Sequence, residues 1–432
     1  MRSYARRRAQ LMALMGDDGI AIVPAAPERI RSRDTHYPYR PDSDLWYLSG
    51  FSEPQAVLVL LPGRAHGESV LFCRERDAVR EVWDGPRAGP EGAVAQFGFD
   101  DAYPIDDIDD ILPGMLEGRS RVHYHLGRDT DFDLQLLSWL NRVKRHLHLQ
   151  TGSPQEFLEL GHLLDEMRLI KGADELKLMQ RAADISVEAH LAAMRSAKPG
   201  IHEYELQAAL EHVFRKHDAH PAYSPIVGAG ANACVLHYVA NNAKATAGEL
   251  VLIDAGAEYR GYAADISRTF PVNGRFTAPQ RALHDLVLQA QAAAIECVKP
   301  GQPWAAIHDR ATEVLCEGLL SLGLLKGSLA KNLAEASYRR FYPHKTGHWL
   351  GLDVHDVGDY QLEGEWRLLE PGMVLTVEPG LYVRPDDTAV AAKWRGIGIR
   401  IEDDVQVTRE GHRILTDALV RSADEIENLM AA

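Results

Sequence analysis

Positive charge is scarce in this chain: 47 lysines and arginines stand against 62 aspartates and glutamates, a formal net charge of −15. A nucleic-acid binder needs a basic field that releases counterions from phosphate, so that class of partner is excluded. Cysteine is scarcer still, and Cys73, Cys234, Cys297 and Cys316 fall at no metal-ligand or Cys-x-x-Cys spacing. Reduced thiols in a cytoplasm are the simplest reading. Long apolar runs are also missing. The longest, residues 56–61, is far short of the roughly 20 residues of a membrane span. The apolar stretch 11–15 behind Arg2, Arg6, Arg7 and Arg8 is shorter than a secretory core of about 7–15 residues and runs into Asp17-Asp18. It reads as an amphipathic helix with a solvated basic face, on a cytoplasmic protein without a membrane role.

Two catalytic signatures are absent as well. Val227-Gly-Ala-Gly230 lacks a third glycine and any Gly-Lys-Ser/Thr, so it reads as a tight loop delivering His237 and not as a phosphate loop. Ser224, Ser267 and the cysteines have no local nucleophile signature.

What the chain does have is soluble globular composition, 46% hydrophobic and 25% charged over 432 residues, enough for two or three domains. Over residues 1–170, strand-like segments at 20–23, 56–61, 69–72 and 121–125 alternate with polar turns and a helical stretch at 132–143, the pattern of a mixed α/β domain. His123/His125 and His146/His148 sit at a period of two, on one face of a strand. With no acid at a suggestive spacing, they read as solvated or hydrogen-bonded surface histidines. Asp174 is the expected N-cap of a long helix turning Leu176, Met179, Ala183 and Ile185 toward a core, which places a second domain at 171–432.

That second domain repeats itself. Helix, Lys198-Pro-Gly200, helix is followed 101 positions later by helix, Lys299-Pro-Gly301, helix. Each unit then passes a histidine-bearing segment (His237, then His344 to His355) and ends in an acid-bearing hairpin. Two helix-helix-hairpin units are expected to pack as pseudo-symmetric halves, their sheets joined and their helices on one face, with a shared site on the pseudo-axis.

In the first hairpin, Gly248-Glu-Leu-Val-Leu-Ile-Asp254-Ala-Gly256 drives an extended apolar run into a carboxylate, and Asp265 follows in Tyr262-Ala-Ala-Asp265-Ile-Ser-Arg-Thr-Phe270. Glu258-Tyr-Arg-Gly261 between them reads as a turn, which sets the two acids face to face. In the second, Pro371-Gly-Met-Val-Leu-Thr-Val-Glu378-Pro-Gly380 and Gly396-Ile-Gly-Ile-Arg400-Ile-Glu402-Asp-Asp404 present Glu378 and Glu402, with 384–395 as an inserted loop. Between the hairpins lies His344-Lys-Thr-Gly-His348-Trp-Leu-Gly-Leu-Asp-Val-His355-Asp, three imidazoles in twelve residues. The chain ends in a strand at 405–408, a turn at Glu410-Gly411 and a helix opened by a Ser422/Glu425 capping box.

Four carboxylates closing buried strands would cost several kcal/mol without compensation, which argues against a purely structural set. Hard oxygen ligands with one imidazole suit Mn²⁺ best, with Zn²⁺, Co²⁺ and Fe²⁺ as alternatives. Two such ions about 3.5–4 Å apart hold a bridging water, lower its pKa and clamp a hydrolytic transition state. Metal-assisted hydrolysis is the expected reaction class, with His237, His344 and His355 available to donate to the developing oxyanion or pass a proton to the leaving amine.

The histidine motif, together with Val377-Glu-Pro-Gly-Leu-Tyr382 and Arg395-Gly-Ile-Gly-Ile-Arg-Ile-Glu-Asp-Asp404, resembles the aminopeptidase P and prolidase branch of the pita-bread metallopeptidases. Tyr39-Arg-Pro-Asp-Ser-Asp44-Leu-Trp-Tyr-Leu-Ser-Gly-Phe51 resembles the opening of bacterial aminopeptidase P, and the resemblance spans essentially the whole chain. It implies an α/β (α+β) fold, a creatinase-like N-terminal domain (1–170) before a pita-bread catalytic domain with pseudo-two-fold halves (171–432). It implies Asp254 chelating one ion, His348 and Glu378 on the other, and Asp265 and Glu402 bridging both. His237, His344 and His355 match its substrate-contacting and transition-state histidines, with Glu378 among the catalytic set. Tyr223, Tyr382 and Arg400 match residues lining its substrate pocket. The chain departs from the motif at Lys345-Thr346, which are not ligands.

The activity implied is release of one N-terminal residue from peptides with proline second. Prolidase, confined to Xaa-Pro dipeptides, is the alternative, and a metal-free binding protein on the same fold the remote one. A homo-oligomer, dimer or tetramer, is expected, because Trp83 sits in a polar Gly/Pro-rich stretch with little local core and its counterpart in the family reaches a neighbouring subunit's site. Asp44 is a candidate neighbour of substrate, with a helix or turn cap as the competing role.

Overall fold

The computed structural model describes residues 2–145 and 152–431, in two units, Met1–Met167 and Arg168–Ala432. The break falls three residues before the one expected from the sequence. His146 and His148 lie outside the described residues.

In the first unit a six-stranded sheet runs in the order Asp101–Pro104, Ser69–Cys73, Val57–Leu60, Gly19–Pro24, Arg121–Tyr124, Glu156–Glu159, its four inner strands largely buried and the outer Glu156–Glu159 exposed. Pairing is antiparallel on both sides of Val57–Leu60 and parallel elsewhere. Helices Ile108–Leu116 and Thr130–Arg145 seat Leu112, Leu116, Leu136 and Trp139 against Ile20, Ile22, Val59 and Phe72.

The N-terminal helix, Arg2–Met15, corrects one expectation. Arg7 and Arg8 are buried, and their guanidinium groups donate to the carbonyls of Tyr47 (3.0 Å), Leu48 (3.0 Å) and Gly98 (2.6 Å). These carbonyls end helices Ser43–Ser49 and Gly89–Phe97, where the backbone has no partner of its own and a long cation can supply one. His123 and His125 are likewise buried and not on the surface. His125 stands between Asp44 at 2.9 Å and Glu159 at 2.5 Å.

The second unit contains the repeat. Helices Ala173–Ser196 and Glu203–Lys216 form one pair, Ala278–Ile295 and Ala305–Ser321 the other. The Gly200 N–H donates to Ala245 at 2.8 Å and the Gly301 N–H to Leu369 at 2.9 Å, so each helix connection is tied to the segment that precedes its own hairpin. Isolated bridges His202 to Lys244 and Pro303 to Leu368 sit in the same relation. The first helix pair packs Ile185, Met194, Leu210 and Phe214 on Ile253, Ile266 and Phe270. The second packs Leu283, Val287 and Leu315 on Leu381, Ile399 and Ile401.

The hairpins are not one joined sheet. Leu250–Asp254 pairs with Ser267–Pro271 and with Ile226–Ala229, so Val227 to Ala229 is a strand where a loop was expected. Beyond Asp254 the ladder stops, and a separate small one begins at Ala257–Tyr259. The second hairpin breaks likewise, between the Val374–Val377/Asp403–Val407 pair and the Gly380–Val383/Ile397–Arg400 pair. Each break is where an acid leaves the ladder. At Gly256 a Cβ would lie 1.6 Å from the Ala264 carbonyl oxygen, so only glycine lets the strands pinch there. The Glu402 N–H donates to Ser267 at 3.1 Å, linking the two hairpins at their breaks. Helix Ala173–Ser196 is capped at Gly172, not at Asp174: the Glu175 carboxylate reaches back to the Gly172 N–H at 2.8 Å. Ser422 and Glu425 form the expected reciprocal cap. Among the described residues, no helix is long and apolar enough to cross a membrane.

Candidate metal centre and cleft

The breaks turn four carboxylates toward one another. Ligand atoms of Asp265, His348 and Glu402 lie within 4.8 Å of one another, and His348 Nε2 is 3.4 Å from Asp265 Oδ2 and 3.8 Å from Glu378 Oε1. Asp254, at the end of its strand, accepts from Arg400 Nη2 at 2.5 Å. The Tyr223 hydroxyl stands within hydrogen-bond reach of both Asp254 and Asp265, with one proton to share between them. His348 Nδ1 is 2.9 Å from the Trp349 carbonyl, an acceptor only, so Nδ1 carries a proton and Nε2 is the nitrogen turned toward the acids.

The electrostatics are those of a site short of positive charge. Burial and the charge of Asp254 push Asp265 up; burial and the charges of Asp265, Glu378 and Asp254 push Glu402 well up. Glu378 is raised to about 7 by burial, with Asp265 and Asp254 adding to it, although His348 and Arg400 oppose them. His348 goes the other way. Burial lowers it, but the hydrogen bond and charge of Asp265 and the charge of Glu378 win and raise it to about 9. Hard oxygens that repel one another around one oriented imidazole are a donor set that fits divalent cations. The residues present therefore fit two such ions.

These groups line a cleft of about 400 Å³ with Leu236, His237, His344, Lys345, Gly347, His355, Tyr360 and Arg400. Burial and the Arg400 charge lower His344 to about 4, and partial burial with the neighbouring His348 and His237 lowers His355. The imidazoles of His344 and His355 are therefore neutral at neutral pH. The rings of His348 and His355 meet at 4.3 Å.

Residues 177–409 match the model of metallopeptidase family M24, and residues 4–124 match that of the aminopeptidase P N-terminal domain. This chain belongs to metallopeptidase family M24. It is 43% identical to the Xaa-Pro aminopeptidase of Escherichia coli (strain K12), over 99% of this chain and 97% of that protein. It superposes on the structure of Pseudomonas aeruginosa aminopeptidase PepP with a TM-score of 0.99 at 55% identity, covering 100% of this chain and 98% of the other. Zn-substituted E. coli aminopeptidase P in complex with product gives a TM-score of 0.97 at 42% identity, with coverage of 100% and 98%. The pseudo-symmetric catalytic unit of this M24 chain is accordingly the pita-bread fold.

Not every residue singled out in the sequence faces the cleft. Arg400 does, but its guanidinium is occupied, donating to Ser267 Oγ at 2.8 Å, Tyr382 Oη at 2.9 Å and Asp254. Tyr382 is buried between Arg400 and His344, 2.9 Å from His344 Nε2. Tyr223 thus holds Asp254 and Asp265, and Tyr382 holds His344. Asp44 is fully buried in the first unit, paired with His125 and with Arg128 at 2.9 Å, and the helix cap beside it is Asp42. Trp83 is 80% exposed.

Other residues of the M24 site carry no signal in the sequence. Arg268, fully buried, donates to the Glu402 carbonyl at 2.6 Å and to Asp403 at 2.8 Å, fixing the strand that carries Glu402. Glu203 accepts from the Ala229 and Ala243 N–H groups, both at 2.7 Å, and from Tyr238 Oη at 2.8 Å, which sets the path of the segment bearing His237. Asp404 accepts from the Asp265 N–H at 3.2 Å. A buried acid beside a strand break would be the only hint of such partners.

Proposed function

We propose that this M24 chain is a dinuclear metal-dependent exopeptidase that removes the N-terminal residue from peptides with proline second. One observation carries the reading: Asp265, His348 and Glu402 converge, flanked by Asp254 and Glu378, in an open cleft edged by His237, His344 and His355. The match to Xaa-Pro aminopeptidases over the whole chain supplies the substrate class. An Xaa-Pro bond is a tertiary amide without an N–H, so a cleft that holds the carbonyl side and the free amine, and needs no amide donor, suits it.

Asp254, Asp265, His348, Glu378 and Glu402 would hold the ions, which supply an activated water at neutral pH and charge stabilisation. The chain's own groups do the rest. Glu378, at the floor of the cleft, takes a proton and passes it toward the leaving proline nitrogen. His355, neutral, offers an N–H donor to the oxygen on which charge develops, while His344, its Nδ1 proton on the Lys345 carbonyl and its Nε2 against the Tyr382 hydroxyl, borders the peptide. His237, exposed at the cleft edge, contacts the peptide. Arg400, Tyr223 and Tyr382 keep the acids and His344 in place.

Mn²⁺ is the proposed resident ion, on the hardness of the oxygen set. A homo-oligomer is supported by Val79, Val82 and Trp83, exposed at 72%, 81% and 80%, an apolar patch of the kind that marks an interface. Four free cysteines accord with a cytoplasmic setting. Rates on Xaa-Pro, Xaa-Pro-Yaa and longer peptides with defined metals test the activity. Tripeptides and longer peptides should be cleaved at least as efficiently as dipeptides, and peptides with alanine second poorly. Activity confined to dipeptides would make the enzyme a prolidase, and metal-independent or absent hydrolysis would remove the proposal. Light scattering that reports only monomer would remove the oligomer.

A further inference from the structure

His355 stands on a stretch without a helix or strand of its own, since the backbone from 351 to 358 is bend and coil. Such a segment takes its order from what its side chains are tied to. The tie lies one residue on. Asp356 has a side chain 1% exposed, and both its oxygens are taken by cations buried as deeply: Arg168 Nη2 donates to Oδ1 at 2.6 Å and Lys171 Nζ to Oδ2 at 2.9 Å. Arg168 also donates to Asp353 at 2.7 Å. The Asp356 N–H donates to the Trp349 carbonyl at 2.9 Å, and the Gly351 carbonyl accepts from Ala263 at 2.8 Å, two residues before Asp265. Lys171 is itself pinned, its N–H donating to Gly372 at 3.0 Å.

The loop closes tightly around this carboxylate. A Cβ at Gly351 would lie 2.1 Å from Asp356 Oδ2 and 2.9 Å from Lys171 Cε, so the chain passes the ion cluster at a residue that has no side chain. Charges buried this deeply are a poor device for stability, because an apolar set of the same volume often does as well. What they add is direction. A carboxylate gripped at both oxygens cannot rotate or slide, and the neighbouring residue inherits that fixity.

We propose that Arg168, Lys171 and Asp356 are positioning residues for His355: two buried cations grip Asp356 by opposite oxygens and thereby set where the adjacent imidazole stands in the metal cleft. The inference rests on the proposed peptidase reading for its kinetic consequence and on geometry for its structural one. None of the three lines the cleft, so their influence on turnover runs through His355.

The double variant K171M/D356N takes one charge from each side and leaves Arg168 with Asp353, so no buried ion is stranded. It should keep its metals and its melting temperature. Its kcat should fall roughly 10- to 100-fold with KM nearly unchanged, the cost of misplacing a group by about 1 Å. Adding H355A should cost little more, because both changes act on one imidazole. Hydrogen exchange of the metal-free chain reads the loop without any substrate. Amides of 351–358 should exchange faster in K171M/D356N, and those of 250–254 at the wild-type rate. Unchanged exchange at 351–358, unchanged kcat, or losses that multiply when H355A is added would each overturn the proposal. A wild-type enzyme that cleaves no Xaa-Pro peptide would remove the activity reading, and the exchange experiment would still decide the grip. Should K171M/D356N fail to fold, K171M, which leaves Asp356 paired with Arg168, replaces it in both measurements.

Discussion

Stripping the ions from this M24 centre should destabilise the chain by an amount that grows with pH, and the size follows from the buried acids. Glu378 is raised from 4.5 to about 7, so ionising it in the metal-free fold costs about 3 kcal/mol at 1.36 kcal/mol per pKa unit. Asp265 is raised too, by burial and the charge of Asp254, and Glu402 by burial and the charges of Asp265, Glu378 and Asp254. A group whose pKa is higher in the folded chain contributes stability that is fully present below its unfolded pKa and lost as pH rises through the folded one. For Glu378 that window runs from 4.5 to about 7. His348, raised from 6.5 to about 9, has the same sign and extends the loss upward. Divalent ions replace those protons and abolish the loss. Thermal melts with chelator and with Mn²⁺ at pH 5, 6, 7 and 8 should therefore diverge. At about 2–4 °C per kcal/mol, the Glu378 term alone widens the gap by roughly 6–12 °C between pH 5 and pH 8. Metal titrations in two buffers should also show protons released on binding. A gap that stays constant with pH, or binding without proton release, would refute the account of an uncompensated acid cluster.

Asp265→Ala or Glu402→Ala should abolish activity more completely than loss of any histidine outside the ligand set, and elemental analysis should find fewer than two ions; full occupancy with normal turnover in either would sink the dinuclear assignment. His355→Ala should keep its metals and lose mainly kcat, since its proposed contribution is made in the transition state; metal loss on the same preparation would make it a ligand. Arg268→Met removes the donor of the Glu402 carbonyl and the nearer cation of the fully buried Asp403, which keeps Arg421 at 3.5 Å, and should cost about 1–3 kcal/mol by urea denaturation, with a loss under about 0.5 kcal/mol contradicting the assigned role.

Much of this could be read from the residues in order, because it depends on short-range physics. Period and turn chemistry located four of the six sheet strands of the first unit, missing Asp101–Pro104 and Glu156–Glu159, and both acid hairpins, and the equal spacing around Lys-Pro-Gly announced the halves that the Gly200 and Gly301 hydrogen bonds tie down alike. That Asp254, Asp265, His348, Glu378 and Glu402 would share one cleft was legible because an acid ending a buried strand is costly, and four in matching places need a common cause. Partners set by distant segments were not legible. Whether Arg7 and Arg8 face water or cap a helix 40 residues away, whether Arg400 is free for substrate or held by Asp254, and that Arg268 reaches the Glu402 carbonyl across 134 positions depend on which segments meet. Local pattern tells which side chains must leave water; only the tertiary fold, by bringing in donors and acceptors from far along the chain, decides what a buried polar group touches there.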